Sequence, residues 1–294
     1  MFRKLSHYLI GASLLTAAQF ASAASLVIGG KDFTEQLLLT SITEQYLGHA
    51  GVDVKANSGM GTAVLRKAQE NGQIDLCWEY TGTSLIVFNK ITEHLDPAAT
   101  YARVKELDGK KGLIWMAPSQ VNNTYAIAIR TADAESKNIK TLSQLAAALN
   151  GGSKLTLAVN PEFPARSDGL KPLSKAYGFE IPREDVIKMD TGLVYTALKE
   201  SKVDLGLVFA TDGRIPAFKL FVLADDKQYF PSYQLAPVIR SQALEANPKL
   251  TELMARLTDK LNNQQMATLN AQVDVDKKSI EAVAKSFLQE NGLI

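Results

Sequence analysis

The sequence contains few of the residues from which metal sites and catalytic centres are most often built. It has one cysteine, Cys77, and three histidines among 294 residues. A single cysteine excludes an intramolecular disulfide bond and a zinc site made of several cysteines. Only His49 and His94 lie beyond the first 23 residues, and neither stands in a metal-binding or catalytic motif. A zinc centre or a Ser-His-Asp triad would have to use one of these two histidines, so the composition argues against an enzyme.

A strong charge imbalance and nucleotide-binding motifs are also absent. The 32 Lys and Arg residues nearly balance the 31 Asp and Glu residues, which gives a formal net charge of +1. The basic excess that is typical of nucleic-acid-binding proteins is therefore missing. The chain has no Gly-x-Ser-x-Gly elbow and no phosphate loop, and the glycine-rich run 58–62 is best explained as a turn that caps a helix. We predict no catalytic residues, no cofactor, no metal and no nucleic-acid partner.

The first 23 residues have the three-part layout of a secretory signal peptide. Two basic residues open the chain, residues 8–20 are mostly apolar, and Ala21-Ser22-Ala23 matches a cleavage site. A buried N-terminal helix is the alternative, but a strand-like start at 26–28 follows the cleavage triplet at once. The apolar stretch is shorter than the about 20 residues of a membrane span. We therefore predict that residues 1–23 are removed on export to the periplasm, which leaves a formal net charge of −1.

Beyond the signal peptide, short apolar strands alternate with helical patterns, which is typical of an α/β architecture with mostly parallel sheets. The length allows one large domain or two lobes. Ligands of open α/β sheets bind beyond the carboxyl ends of the strands, so the segments after the strand candidates are where a site is expected. The strand candidates are 26–28, 52–54, 74–78, 125–129, 155–159 and 203–209, and the helix candidates are 34–50, 62–71, 101–111, 141–149, 167–178, 192–201, 247–261 and 277–291.

Two segments of the chain share one pattern. Residues 68–80 and 198–209 each contain the end of a helix, a short turn, an aspartate, a strand and an aromatic residue at the end of that strand. This repeat favours two related lobes over one continuous sheet. Two lobes fit a protein that closes over a ligand.

Four aromatic residues fall near predicted strand ends or chain crossings. They are Tyr80, Tyr125, Phe209 and Tyr233. Packing explains any one of them, but four at separate strand ends are harder to explain in that way. Aromatic faces attract a cation, including a quaternary ammonium that has no hydrogen bond to donate, and each face contributes roughly 0.5–2 kcal/mol. Lys31 and Arg166 also follow strand candidates and have the charge to hold the carboxylate of a zwitterion, although surface charge is the simpler interpretation of each.

Five motifs together carry a family resemblance. The sequence resembles the ProX/OpuC-type glycine betaine, carnitine and choline binding proteins of ABC importers, and the resemblance spans about residues 26–290. The motifs occur in the order of that family, and the ordered set is more specific than any one of them. They are Gly30–Gln36, Trp78–Thr83, Asn122–Tyr125, Ala210–Arg214 and Tyr229–Tyr233.

The resemblance implies a type II periplasmic binding protein, an α/β fold in which two lobes are joined by two crossings and enclose a ligand cleft. The first lobe is expected to contain 24–128 and 236–294, and the second 129–235. The crossings are expected near Ile127–Thr131 and Gln234–Val238. The resemblance also implies a monomer that delivers a small quaternary ammonium ligand to an ABC permease in the inner membrane.

The same resemblance implies roles for individual residues. It suggests an aromatic cage at Tyr80, Tyr125 and Tyr233, and Phe209 stands where a fourth tyrosine is expected. Phenylalanine keeps the aromatic face and loses the hydroxyl group. Tyr195 is a weaker candidate for the site and is expected to pack within a helix instead. Positions that match contacts to the ligand carboxylate are Lys31, Thr83 and Arg166, and Asn123 matches a polar position beside the cage.

Two other interpretations remain open at this point. The first is a binding protein of the same fold for another small amino acid or cationic solute. A primary ammonium would favour carboxylates or carbonyls in the pocket, and the aromatic residues argue against it. The second is an exported enzyme on a similar fold, for which Glu35 and Glu79 are the available acid/base pair. Both glutamates are expected to have structural roles instead.

Overall fold

A computed structural model describes residues 25–294 of the chain, so the predicted signal peptide 1–23 lies outside the described residues. The described part contains two five-stranded mixed sheets. The strands are β1 (Leu26–Lys31), β2 (Val54–Met60), β3 (Leu76–Tyr80), β4 (Leu113–Trp115), β5 (Tyr125–Arg130), β6 (Leu157–Val159), β7 (Val186–Lys188), β8 (Leu205–Phe209), β9 (Leu220–Val222) and β10 (Leu235–Arg240).

Helices cover both sheets. They are α1 (Thr34–His49), α2 (Thr62–Glu70), α3 (Thr81–Thr83), α4 (Pro97–Gly109), α5 (Thr131–Lys137), α6 (Leu142–Asn150), α7 (Leu170–Tyr177), α8 (Thr191–Lys199), α9 (Arg214–Ala217), α10 (Ser241–Ala246), α11 (Leu250–Thr258), α12 (Asn263–Asp274) and α13 (Ile280–Glu290). A π-helical turn, Ser84–Phe88, continues α3. Both C-terminal helices pack against α1, so the end of the chain returns to the first sheet.

Side chains cap the start of several helices. Asp96 caps α4, and Thr141 forms a capping box with Gln144 at the start of α6. Asn262 and Ser279 cap α12 and α13 in the same way. Each of these side chains accepts a hydrogen bond from a backbone N–H that the helix itself leaves unpaired, which fixes where the helix begins.

The two sheets have the same strand order. The first runs β2-β1-β3-β10-β4 and the second runs β7-β6-β8-β5-β9. In each sheet four strands run in the same direction and one runs against them. The antiparallel strand is β10 in the first sheet, between β3 and β4, and β5 in the second sheet, between β8 and β9. The prediction of mostly parallel sheets therefore holds for the strand directions, with one antiparallel strand in each sheet. The strands β5 and β10 follow the connections between the sheets and run against the strands that they join.

The repeated sequence pattern corresponds to equivalent positions in the two sheets. Asp75 precedes β3 and accepts a hydrogen bond from the backbone N–H of Val27 at 3.0 Å. Asp204 precedes β8 and accepts one from the backbone N–H of Thr156 at 2.9 Å. Each aspartate therefore ties the strand that follows it, β3 or β8, to the neighbouring parallel strand. Both β3 and β8 end in an aromatic residue, Tyr80 and Phe209.

The first crossing lies earlier in the chain than predicted. Every residue of β5 belongs to the second sheet, where Ile127 pairs with Leu207 and Ile129 pairs with Leu205. A crossing near Ile127–Thr131 and a lobe boundary after residue 128 would divide this strand. The connection between the sheets is instead 116–124, and the return connection is 223–234. The return predicted near Gln234–Val238 is therefore also too late, because β10 lies wholly in the first sheet.

Candidate functional site

A cavity of about 230 Å³ lies between the two sheets. The eight residues that the sequence singled out all line it, and they come from six different places along the chain. They are Lys31, Tyr80, Thr83, Asn123, Tyr125, Arg166, Phe209 and Tyr233. The volume is below the roughly 300–1,000 Å³ of pockets that hold drug-sized molecules, so the cavity suits a small solute.

Strand ends bring these residues together. Lys31 and Tyr80 are the last residues of the neighbouring strands β1 and β3, and Phe209 is the last residue of β8. Tyr125 begins β5 directly opposite Phe209, because the two residues pair across the sheet. The carboxyl ends of the parallel strands in both sheets therefore face the same cavity, as the topology of α/β proteins predicts. Arg166 reaches it from the loop that follows β6.

Tyr125 lies at the centre of the aromatic residues. Its ring centroid is 5.1 Å from that of Phe209 and 5.4 Å from that of Tyr233, with the Tyr233 ring edge-on. Phe163 packs behind it at 5.3 Å. These distances are typical of favourable aromatic pairs, so the rings hold one another in place before any ligand binds.

Phe33 is an aromatic wall of the cavity that the sequence analysis missed. Its ring stacks on Phe209 with centroids 5.2 Å apart and lies 6.4 Å from the ring of Tyr80. The sequence pattern singles out aromatic residues at strand ends, whereas Phe33 precedes the helix α1. Its place inside the motif Gly30–Gln36 was the signal that could have found it. The cavity is also lined by Asp32, Thr62, Asn160, Pro161, Glu162 and Thr191, which the sequence did not single out.

The two cationic residues of the site are paired with buried carboxylates. Lys31 Nζ lies 2.6 Å from Glu79 Oε1, and both side chains are almost inaccessible to solvent. Arg166 donates from Nε and Nη2 to the two carboxylate oxygens of Asp168, each at 2.7 Å. Both cations also lie over cage rings: Lys31 Nζ is 5.0 Å from the Tyr80 centroid and Arg166 Cζ is 5.1 Å from the Tyr125 centroid.

These pairs fix the charge of the site. Burial by itself lowers the pKa of Arg166, but its interactions with Tyr125 and Asp168 more than offset this effect and hold the pKa above its usual range. Burial raises the pKa of Tyr125 to about 12 and also raises the pKa of Tyr80 and Tyr233. The three cage tyrosines are therefore uncharged phenols at neutral pH, beside a guanidinium that stays charged.

A buried carboxylate, that of Glu35, forms hydrogen bonds with residues that line the cavity. Glu35 Oε1 accepts hydrogen bonds from the hydroxyl of Tyr80 at 2.7 Å and the amide of Asn123 at 2.9 Å. Its other oxygen accepts from the hydroxyl of Thr211, which follows β8 in the second sheet. Burial raises the pKa of Glu35, and the hydrogen bonds from Thr211, Tyr80 and Asn123 oppose part of that rise. Glu35 therefore positions cage residues and links the two lobes.

Several contacts join the lobes across the cavity. The Nη2 atom of Arg166 in the second lobe donates to Thr83 Oγ1 in the first at 3.4 Å, and the hydroxyl of Tyr233, in the return connection, donates to Asp168 Oδ2 at 2.6 Å. Arg214 Nη2 also lies 3.2 Å from Asp274 Oδ2 on α12, a helix that packs against α1 of the first lobe. The lobes are therefore in contact around the cavity, which corresponds to a closed form.

The residues that could serve as acid/base groups of an enzyme are either held in other interactions or lie outside the cavity. Glu79 is paired with Lys31, and Glu35 is held by the network beneath the cage. His49 and His94 are exposed and do not line the cavity. Tyr195 is fully buried outside the cavity, where its hydroxyl accepts a hydrogen bond from the backbone N–H of Phe209 at 2.9 Å.

Neither a metal-binding cluster nor a membrane span is found in the part of the chain that the structure describes. No group of three or more His, Cys, Asp or Glu residues within 25–294 is arranged to hold a metal ion. No helix in the same range combines the length and the apolar character that a membrane crossing needs.

Comparison with known proteins gives matches along nearly the whole chain. The model of the substrate-binding domain of ABC-type glycine betaine transport systems matches residues 24–290. The chain is 47% identical to the glycine-betaine-binding protein of Pseudomonas aeruginosa over 286 residues, covering 95% of this chain and 92% of that protein. It is 31% identical to the carnitine transport binding protein OpuCC of Listeria monocytogenes over 294 residues, covering 95% and 94%.

The fold has the same relatives. A crystal structure described as a glycine betaine/carnitine/choline ABC transporter is 28% identical in sequence. It superposes with a TM-score of 0.74 over 92% of this chain and 99% of that one. The predicted two-lobed α/β fold and the predicted family are therefore confirmed. The chain belongs to the family of substrate-binding domains of ABC-type glycine betaine transport systems, whose members bind solutes and are not enzymes.

Proposed function

We propose that this protein is an exported, periplasmic solute-binding protein that captures a quaternary ammonium compatible solute of the glycine betaine, choline or carnitine type and delivers it to the permease of an ABC importer. The observation that carries the proposal is the convergence of eight residues from distant parts of the sequence on one small cavity. Four of the eight are aromatic, and the others are Lys31, Thr83, Asn123 and Arg166.

The aromatic residues suit the cationic end of such a ligand. A quaternary ammonium has no N–H group, so carboxylates and carbonyls cannot bind it by accepting hydrogen bonds. Aromatic faces attract it through their quadrupole, with roughly 0.5–2 kcal/mol for each face. Because Tyr80, Tyr125 and Tyr233 are uncharged at neutral pH, their rings and that of Phe209 provide this attraction without a buried negative charge.

The opposite end of a zwitterion fits the donors of Arg166, Lys31 and Thr83. The Nε and Nη2 atoms of Arg166 are engaged by Asp168, and Nη2 also reaches Thr83. Within 25–294 no hydrogen bond from Nη1 is formed, so its two N–H groups remain for a carboxylate. Lys31 uses one of its three N–H groups on Glu79. A carboxylate bound here would have charge-assisted hydrogen bonds from both lobes.

Two relatives support this ligand class. The similar protein of Pseudomonas aeruginosa is named for glycine betaine and that of Listeria monocytogenes for carnitine. Both compounds combine a quaternary ammonium with a carboxylate. We propose that the present protein acts as a monomer, because the cavity is complete within one chain, and that closure of the lobes over the solute is the state that the permease recognises.

The test is a calorimetric titration that uses matched ligands and matched variants. Protein that lacks residues 1–23 is titrated with glycine betaine, choline, carnitine and proline betaine, and with N,N-dimethylglycine and glycine as analogues that carry N–H groups. The variants are Phe209→Leu, which removes a cage ring, and Phe209→Tyr, which keeps it. We expect at least one quaternary ligand to bind with micromolar affinity and glycine to bind far more weakly.

The expected loss for Phe209→Leu is about tenfold, equivalent to one aromatic face. Phe209→Tyr is expected to stay within about threefold of the natural protein, because the face is retained. Absence of heat for every quaternary ligand, with the protein folded, would refute the proposal. Binding of glycine at least as tight as that of glycine betaine would instead support a binding protein for an ordinary amino acid.

A further inference from the structure

The helix α2 at the edge of the cavity has no cap from its own lobe. It begins at Thr62 after Gly61, which has no side chain to accept a hydrogen bond, and its first turn contains no acidic residue. The first N–H groups of a helix have no partner within the helix, and they carry a partial positive charge. Other helices, among them α1, α7 and α8, also lack a side-chain cap, so α2 is distinguished by the residue that its first N–H group does bond.

The missing partner comes from the other lobe. Glu162 Oε1 accepts a hydrogen bond from the backbone N–H of Thr62 at 2.8 Å. Glu162 follows β6 in the second sheet, whereas α2 packs on β1 in the first sheet. A Cβ atom on Gly61 would lie 3.3 Å from the same carboxylate oxygen, so glycine at this position gives Glu162 room to approach.

We propose that Glu162 is a positioning residue that latches the closed form, by capping α2 across the cavity only when the two lobes meet. Opening of the lobes breaks this bond, whereas the hydrogen bonds within each lobe survive. A contact that exists only in the closed form shifts the equilibrium toward closure, and it slows the escape of a ligand enclosed there. Glu162 lines the cavity, but it affects the ligand only by stabilising the closed form. The use of glycine betaine and choline as test ligands rests on the proposed function.

The charges around Glu162 limit the strength of the latch. Burial raises the pKa of Asp32 in the first lobe. The negative charges of Glu162 and Asp190 raise it further, so these carboxylates are close to one another. Like charges therefore oppose closure at the same rim, and the helix end is the positive partner. We expect the net effect of removing Glu162 to be about fivefold in ligand release, which is roughly 1 kcal/mol and equals the usual cost of losing a helix cap.

Binding kinetics test the latch directly. Association and dissociation rates of glycine betaine and choline are measured by stopped flow on Glu162→Ala and Glu162→Gln, with Glu184→Gln as the control for an exposed glutamate of the same lobe. We expect about fivefold faster dissociation in Glu162→Ala, a smaller increase in Glu162→Gln, unchanged association and no effect in the control. The factor should be the same for both ligands, because closure is common to them.

Two outcomes would overturn the latch. Slower association, or an effect on choline that exceeds the effect on glycine betaine, would mean that Glu162 attracts the cation directly, since choline has no carboxylate to balance its charge. Unchanged dissociation in both variants would mean that the hydrogen bond to Thr62 contributes nothing to closure.

A distance measurement separates this proposal from the proposed function. Spin labels are attached at Val64→Cys on α2 and Leu193→Cys on α8, two positions whose side chains are exposed. The native cysteine, Cys77, is buried and stays unlabelled. Without ligand, we expect Glu162→Ala to lengthen the average distance between the labels. If the natural protein binds neither ligand, the ligand class is wrong, and this distance still decides whether the latch exists. An unchanged distance would refute the latch even if binding is confirmed.

Discussion

Tyr80 has two functions in the site that a pair of substitutions can separate. Its ring is a wall of the cavity, and its hydroxyl donates to Glu35 Oε1 at 2.7 Å. Tyr80→Phe removes the hydroxyl and keeps the ring, whereas Tyr80→Leu removes both. We expect Tyr80→Phe to lower the stability of the protein with little change in affinity. Tyr80→Leu is expected to lower both.

The magnitude follows from the partners that the hydroxyl leaves behind. Glu35 is buried, and loss of Tyr80 as a donor leaves its carboxylate with Asn123 and Thr211 as the closest donors. A hydrogen bond to a charged group contributes about 1.5–3 kcal/mol, so Tyr80→Phe should lower the free energy of unfolding by about 2 kcal/mol. The amide of Gln36 also loses an acceptor, but it keeps its hydrogen bond to the carbonyl of Trp78 at 3.2 Å, so it adds little to the loss.

The assay combines urea denaturation with calorimetry on the same preparations. Unfolding midpoints and slopes give the free energy of each variant without ligand. Titration with the tightest quaternary ligand gives the affinity, for which Tyr80→Leu should lose about tenfold and Tyr80→Phe less than about threefold. The reasoning fails if Tyr80→Phe keeps full stability and loses as much affinity as Tyr80→Leu, because the hydroxyl would then contact the ligand instead of Glu35.

Three further predictions test other parts of the structure. Since burial raises the pKa of Glu35 above its ordinary value of 4.5, the stability of the natural protein relative to Glu35→Gln should be greatest below about pH 4.5 and fall as the pH rises through the raised value, as denaturation across a pH series would show. Gly213→Ala would place a Cβ 2.5 Å from that of Ala271 on α12, so we expect incomplete closure in small-angle scattering and an affinity about tenfold lower, consistent with the 1–3 kcal/mol cost of overpacking. Burial raises the pKa of Cys77 to about 12, so a thiol reagent should modify it in denaturant and leave the folded protein unmodified.

The residues of the site could be predicted because their positions follow from local patterns. Tyr80 and Phe209 end apolar strands that are recognisable in the sequence, and the carboxyl ends of such strands meet at one cleft. The repeated pattern before each of them, with Asp75 and Asp204, corresponds to equivalent hydrogen bonds in the two sheets. The family motifs added Thr83, which no periodicity identifies. Whether these residues contact a ligand is still a prediction.

Some strands could not be predicted because their signals are weak or misleading. The strand β10 contains Pro237, and proline usually argues against a central strand. Here Pro237 pairs with Trp78 in the middle of the first sheet, and its carbonyl accepts a hydrogen bond from the backbone N–H of Met116 at 2.9 Å. The strand β2 was predicted at 52–54 and lies at Val54–Met60, where it is an edge strand of mostly exposed residues without the alternation of a half-buried strand.

The contacts between the lobes could not be predicted from the sequence for a different reason. Phe33 stacks on the ring of Phe209, 176 positions later in the chain, and Glu162 caps a helix that begins 100 positions earlier, at Thr62. Neither residue stands in a local pattern that indicates its partner. Such contacts depend on how two separately folded sheets meet, which one sequence does not indicate.

The pairing of charges explains how a cavity with many ionisable residues can be ready to bind a small solute. An unpaired charge in a buried site is strongly unfavourable, and here each cation has a carboxylate within 2.7 Å, Glu79 for Lys31 and Asp168 for Arg166. The same carboxylates hold the cations beside the cage rings, so a ligand finds the donors already oriented and the phenols already neutral. Binding then needs no proton transfer and little reordering of side chains, which keeps the cost of association low. The affinity of the site is therefore determined by two separable terms, the fit of the solute to the rings and donors, and the contacts that the lobes make with each other when they close.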